Sequence, residues 1–124
     1  MIYLDTHLVL WLYEARLELI PKSLHPVLEE NDLCISAMVL LELQYLHEIK
    51  KIRIAGQPIV DDLVARLDLK IGRIDLLVLV MQSIQEAWTR DPFDRCIVAE
   101  ARLHNAALLT KDRLIHKHYE LARW

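Results

Sequence analysis

Hydrophobic and polar positions alternate along this chain at the scale of whole segments. Met1–Leu4 is a short apolar stretch that ends at Asp5-Thr6, and Leu33–Ile35 is a second; both read as buried strands. Ala107–Thr110 reads the same way and ends near Asp112, and Leu69–Ile74 is a further candidate strand. Helical spacing fills the intervals. Thr6 is positioned to cap a helix over roughly His7–Glu14, and Pro21 or Pro26 opens a second short one. Asn31-Asp32 marks a turn, and Ser36 suits the N-cap of a long helix to about Lys50. Gly56-Gln57-Pro58 breaks the chain ahead of a helix over Ile59–Lys70, with Asp61 and Asp62 in its first turn, where the macrodipole favours them. Leu76–Ala87 and Pro92–His104 complete the helices, and Asn105 suits a left-handed stop. Strands that alternate with helices predict a three-layer α/β/α domain around a small parallel sheet. Ligands in such sheets sit beyond the carboxyl ends of the strands, where Asp5 and Asp112 fall.

Composition narrows this picture. A length of 124 residues suits one domain, residues 1–124, with a real core. Apolar residues reach 54%, so several elements should be buried on more than one side. With 2 Gly and 4 Pro there is little room for linkers. No apolar run exceeds the six residues of Leu76–Met81, against the ~20 needed to span a bilayer. The start, M-I-Y-L-D-T, has no basic region and meets an acid at once, which predicts no secretory signal. Cys34 and Cys96 lie in apolar segments and read as reduced core residues of a cytoplasmic protein. A net charge of −3 argues against an extended basic nucleic-acid surface. Bound divalent cations would offset part of that charge.

Four carboxylates carry the chemistry, each beside a plainer reading. In D-P-F-D, Asp91 as N-cap and Pro92 as the first helical residue make Asp94 the third position, close to a capping box. Asp94 also leads the stripe Ile97, Val98 and Ala101, so it points to the interior edge of the sheet; Asp91 does not share that stripe. Glu42 stands among eight apolar residues in A-M-V-L-L-E-L-Q-Y-L. It lies on the stripe of Met38, Tyr45 and Ile49, either on a narrow exposed strip paired with Lys50 or His47, or buried with a function. Asp5 and Asp112 have turn and cap readings. Together the four form a repulsive cluster that needs a cation to stay ionised, and all-oxygen ligation suits Mg²⁺ or Mn²⁺ rather than zinc. His116 and His118 lack acids or Cys at completing spacings and read as a solvated terminal segment. No dinucleotide fingerprint, P-loop, C-x-x-C or H-E-x-x-H occurs.

Y-L-D-T-H-L-V-L-W at 3–11, I-S-A-M-V-L-L-E-L at 35–43, R-D-P-F-D-R-C-I-V-A-E-A at 90–101 and L-L-T-K-D-R at 108–113 occur in that order. In this the chain resembles the PIN-domain family, and more narrowly VapC-type toxin ribonucleases of type II toxin–antitoxin systems. The resemblance implies a PIN-like fold and metal-assisted hydrolysis of RNA phosphodiesters. It carries the family's acidic tetrad to Asp5, Glu42, Asp94 and Asp112, holding one or two Mg²⁺ or Mn²⁺ ions. A divalent pair would take the formal charge from −3 to about +1. Thr6, Asp91 and Thr110 would support the tetrad, and Arg90, Arg95, Lys111 and Arg113 are candidate contacts to RNA phosphates. A small cognate antitoxin and a homodimer are the implied partners, with no membrane. The chain departs from the family's pattern at Asn105, where glycine is common, and at Glu100, often Gln or another small polar residue. Its last strand, over Leu121–Trp124, is very short.

Two other functions share these features. A non-catalytic module with the same fold would use the acids for capping or solubility. A receiver-type phosphoacceptor also gathers acids and a Lys at strand ends, but it pairs acids after its first strand, where Asp5 stands alone.

Overall fold

The structure, a computed structural model, describes residues 1–124. Five strands, β1 (Ile2–Leu4), β2 (Leu33–Ile35), β3 (Lys70–Ile71), β4 (Ala107–Leu109) and β5 (Ala122–Arg123), make one sheet in the order β3-β2-β1-β4-β5. Every neighbouring pair is parallel, with Ile2 opposite Leu33 on one side and Ala107 on the other. Helices α1 (Thr6–Tyr13), α2 (His25–Glu30), α3 (Ala37–Glu48), α4 (Gly56–Leu67), α5 (Leu76–Ile84), α6 (Pro92–Leu103) and α7 (Arg113–His118) cover both faces. That is the three-layer α/β architecture the alternation predicts. A sheet covered on both sides buries alternate side chains in both directions. Tyr3, Leu4, Ile35, Leu108 and Leu109 are accordingly all buried, and none of β1, β2 or β4 shows a polar alternation. No helix is long and apolar enough to cross a membrane.

The winding order positions the site. The chain builds outward from β1 to β2 and β3, then returns across β1 to lay down β4 and β5. The direction of winding therefore reverses between β1 and β4, and a crevice opens beyond their carboxyl ends. Asp5 directly follows β1, and Thr110 to Asp112 directly follow β4.

Local chemistry explains most element boundaries. Ser36 caps α3 by accepting from Met38 N–H at 3.2 Å. Asp91 caps α6 by accepting from Phe93 and Asp94 N–H at 2.8 and 3.2 Å, with Pro92 in the first turn. Asn105 takes a left-handed φ of 49° after α6. The loop leading into Asp91 is tied down by Glu86, which is 3% exposed. Its carboxylate accepts from Arg102 Nε at 2.7 Å and Trp88 Nε1 at 2.6 Å. A buried charge of this kind is tolerated because it is paired and hydrogen-bonded.

Four expectations need correction. Asp5, not Thr6, caps α1, its Oδ1 accepting Thr6 N–H at 2.7 Å, which frees the Thr6 hydroxyl for another partner. Helix α4 starts at Gly56 rather than Ile59, because a residue without Cβ lets its backbone close on α3. A Cβ there would lie 2.7 Å from Leu40 O and 2.9 Å from Gln44 N. Asp61 and Asp62 consequently fall beyond the first turn, and Asp62 pairs with Arg66 at 2.6 Å. The segment bearing His116 and His118 is α7, capped by Asp112. Its His116 Nε2 lies 2.7 Å from Thr110 O, and His118 stacks on Trp88 at 5.1 Å.

Candidate active site

A cavity of about 410 Å³ lies at the reversal point and is lined by Asp5, Glu42, Asp91, Asp94 and Asp112. Each acid arrives by a different local route. Asp5 is held between its own helix and the neighbouring strand. Its Oδ1 caps α1, and its Oδ2 accepts the Thr110 hydroxyl at 2.5 Å. A carboxylate oxygen has two lone-pair sites, so each oxygen keeps one for a ligand. Glu42 sits one turn along α3 from its buried anchor Val39 and beside Leu43. It pairs with neither His47 nor Lys50; its Oε1 accepts the hydroxyl of Thr6. Asp94 is carried inward by Ile97, Val98 and Ala101, which are all fully buried. Burying Ile97 and Val98 contributes roughly 1.5–3 kcal/mol each, enough to hold a neighbouring carboxylate partly out of water. Asp112 follows β4, and its Oδ1 caps α7 by accepting from Leu114 and Ile115 N–H at 2.8 and 3.1 Å. The Thr110 hydroxyl also accepts the Asp112 N–H at 3.1 Å, so Thr110 ties two of the acids together.

Electrostatics reports the same crowding. Asp94 is pushed up to about 7, first by burial and then by the charges of Asp91, Asp5, Glu42 and Asp112. Burial raises Asp5 against the pull of Thr110 and Thr6. Burial also raises Glu42 against the Thr6 hydrogen bond, with Asp5 adding to the rise. Carboxylates that hold their protons this strongly are stabilised in charged form by a nearby cation. The donor set is all oxygen, which fits a hard divalent ion. The side chains are spread around the cavity rather than closed on one point: no three His, Cys, Asp or Glu groups converge tightly enough to hold an ion as they stand.

The basic candidates divide. Lys111 lines the cavity. Arg90 and Arg95 instead donate to loop carbonyls, Arg90 to Ala87 O at 2.9 Å and Arg95 to Thr89 O at 2.7 Å. Neither they nor Arg113 line the cavity.

Sequence reasoning passed over four lining residues, His7, Leu8, Trp11 and Trp124. His7 and Trp11 were within reach of it, since four-residue spacing from the start of α1 puts them on one face. Trp124 was not. It reaches the cavity because β5 pairs parallel to β4, with Leu109 opposite Arg123, and so ends beside Thr110.

Comparison with known proteins agrees with this architecture. The family model described as "PIN domain" matches residues 2–121. No curated protein matches the chain in sequence. Among solved structures, the chain is similar to VapBC2 from Rickettsia felis, crystallised bound to a DNA fragment from their promoter. The identity is 22% and the TM-score 0.69, over 99% of this chain and 98% of that one. It is also similar to a toxin–antitoxin complex from Klebsiella pneumoniae, at 18% identity and a TM-score of 0.57, over 90% of this chain and 87% of that one. Both likenesses are likenesses of fold.

Proposed function

This chain belongs to the PIN domain family, and on that premise we propose that it is a divalent-cation-dependent endoribonuclease, the toxin of a VapBC-type toxin–antitoxin pair. PIN domains are generally nucleases. The observation that carries the reading is the meeting of Asp5, Glu42, Asp94 and Asp112 in one cavity at the reversal of strand order.

Asp5 and Asp94 are the principal ligands in this reading, with Glu42 and Asp112 holding a second ion or orienting water. The chemistry a bound Mg²⁺ or Mn²⁺ supplies is activation of a water and neutralisation of phosphate charge. Thr6 fixes the rotamer of Glu42, and Thr110 fixes that of Asp5. Asp91 starts α6 and thereby aims Asp94. Lys111 is the nearest candidate for a backbone phosphate, and its charge also offsets the acids when RNA approaches.

The partners follow from the same reading: an RNA substrate, a small cognate antitoxin and a second copy of the chain, acting in the cytoplasm as a single domain. Support for the antitoxin is the fold shared with two structures described as toxin–antitoxin complexes. Support for the second copy is α5, on which Leu76, Leu77, Met81 and Ile84 are each more than half exposed. An apolar face of that extent is characteristic of an interface.

The test is cleavage of a mixed RNA pool with Mg²⁺ or Mn²⁺, comparing the native chain with Asp94→Asn and with a chelated control. The reading requires cleavage that the chelator abolishes and the substitution lowers by about 100-fold or more, the scale of losing one electrostatic catalytic group. Cleavage indifferent to both would reject it.

A further inference from the structure

One wall of the acidic cavity is aromatic. Trp11 and Trp124 both line it, with ring centroids 5.8 Å apart and planes tilted by 51°. His7 lies 6.2 Å from Trp11 on the same side. Both indoles pack against the core and remain only partly buried, so each ring is braced from behind.

The chain's third tryptophan shows what a structural indole looks like here. Trp88 donates its N–H to Glu86 at 2.6 Å and stacks nearly flat on His118, at an interplanar angle of 6°. Trp11 and Trp124 have neither arrangement. Two braced, partly exposed rings that line the cavity, beside carboxylates suited to a cation and its phosphate, have the elements of a nucleotide-binding surface. The acids and their ion would address the phosphate, and the rings would address the base it carries.

Building on the ribonuclease reading, we infer that Trp11 and Trp124 form a stacking platform for an unpaired base next to the scissile phosphate. A base already paired and stacked in a duplex presents no free face to the wall. Stacking is tolerant of sequence, because every base has a π-face. It is also indifferent to charge, which matters in a cavity whose carboxylates repel RNA until a cation is bound. Lys111 fits the same scheme. Its ammonium lies 5.8 Å over the Trp11 ring, at the outer limit of a cation–π contact, on an exposed side chain. An arriving base displaces it from the ring, and the ammonium then meets the adjoining phosphate.

The test is binding, read apart from cleavage. Fluorescein-labelled single-stranded decaadenylate is titrated in Ca²⁺ against the native chain and against Trp11→Leu, Trp124→Leu and Trp11→Phe. The same titrations use a decamer with abasic central positions and a ten-base-pair RNA duplex. Leucine keeps the apolar packing and removes the π-face, and circular dichroism confirms that each variant is folded. Trp124, which follows the edge strand β5, gives a second reading should Trp11→Leu fold poorly. Loss of one stacked base corresponds to roughly 5- to 150-fold weaker binding. That loss is expected for the leucine variants on decaadenylate, with most of the affinity kept by phenylalanine and no change on the abasic probe. Equal affinity of native and leucine variants for decaadenylate overturns the platform. So does an equal loss on the abasic probe, or a duplex bound as tightly as the single strand.

Hydrolysis by the same preparations in Mg²⁺ and Mn²⁺ separates this inference from the reading beneath it. Cleavage with kcat/KM unchanged in both leucine variants removes the platform and leaves the nuclease. Tryptophan-dependent binding with no cleavage in either ion removes the nuclease and leaves the platform.

Discussion

The hydroxyl of Thr110, just past β4, donates to Oδ2 of Asp5, just past β1, at 2.5 Å. Residues far apart in the chain become partners because β1 and β4 pair in parallel, with Leu4 opposite Leu109. The bond anchors the most buried acid of the site and opposes the rise that burial imposes on it. Thr110→Val keeps the shape and leaves a buried carboxylate oxygen without its donor. The expected cost is about 1–3 kcal/mol, read as a lower midpoint in urea unfolding. An unchanged midpoint would mean that water replaces the hydroxyl.

The metal-free protein should lose stability as pH rises from about 4 to about 7. Asp94 has an ordinary value of 3.8 and is pushed up to about 7 by burial and by its neighbouring carboxylates. Between those values the folded chain keeps a proton that the unfolded chain has released. Stability is therefore greatest at the acid end of this window and falls through it. A divalent cation favours the charged form, so Mg²⁺ should raise Tm more at pH 7.5 than at pH 5. Asp94→Asn should flatten the slope of the chelated protein. A chelated native chain with equal Tm at both pH values would contradict this account.

Glu100 predicts a second pH effect, distant from the cavity. It is 1% exposed, and its Oε2 has no hydrogen-bond partner. Gly72 lies so close that a Cβ there would be 2.2 Å from that oxygen. Burial raises its carboxyl above the ordinary 4.5, so the folded chain again retains a proton as pH rises and again loses stability. Glu100→Gln should remove this contribution and raise Tm at pH 8 relative to pH 5. A Gln variant that loses stability at every pH would show that the carboxyl makes a bond the amide cannot.

Gly56→Ala should cost about 1–3 kcal/mol by overpacking. The added carbon meets backbone atoms of Leu40 and Gln44, which cannot move as a side-chain tip can. Chemical denaturation gives the value, and a cost below 0.5 kcal/mol would mean that α4 can shift away from α3.

Leu77→Glu should separate the proposed dimer into monomers with little change in monomer stability. Leu77 is 68% exposed, so the charge lands in water when no partner is present. Light scattering after size exclusion gives the mass. An unaltered dimer would move the interface off α5.

The local features were legible because their causes are local. Three short apolar runs, the Ser36 and Asp91 caps and the Asn105 stop each depend on groups within about four residues. All of them stand where the pattern put them. Asp94 was readable for the same reason, since Ile97, Val98 and Ala101 orient it within its own helix. Thr6 was misread because two hydrogen-bonding side chains stood side by side. Only the position of Glu42, on another helix, shows why Asp5 took the cap. The start of α4 at Gly56 was hidden likewise, since its reason lies in the backbone of α3.

Sequence by itself therefore determined an alternating α/β chain, the starts of α3, α5 and α6, and four conspicuous acids. Tertiary structure alone decided that the winding reverses between β1 and β4 and that β5 runs parallel to β4. Those two facts bring Asp5 to Thr110 and Trp124 to the cavity wall. Caps and periodicity act over a few residues and can be read in order along the chain. Strand order is chosen by the burial of whole faces, a sum over contacts that no single stretch of sequence contains.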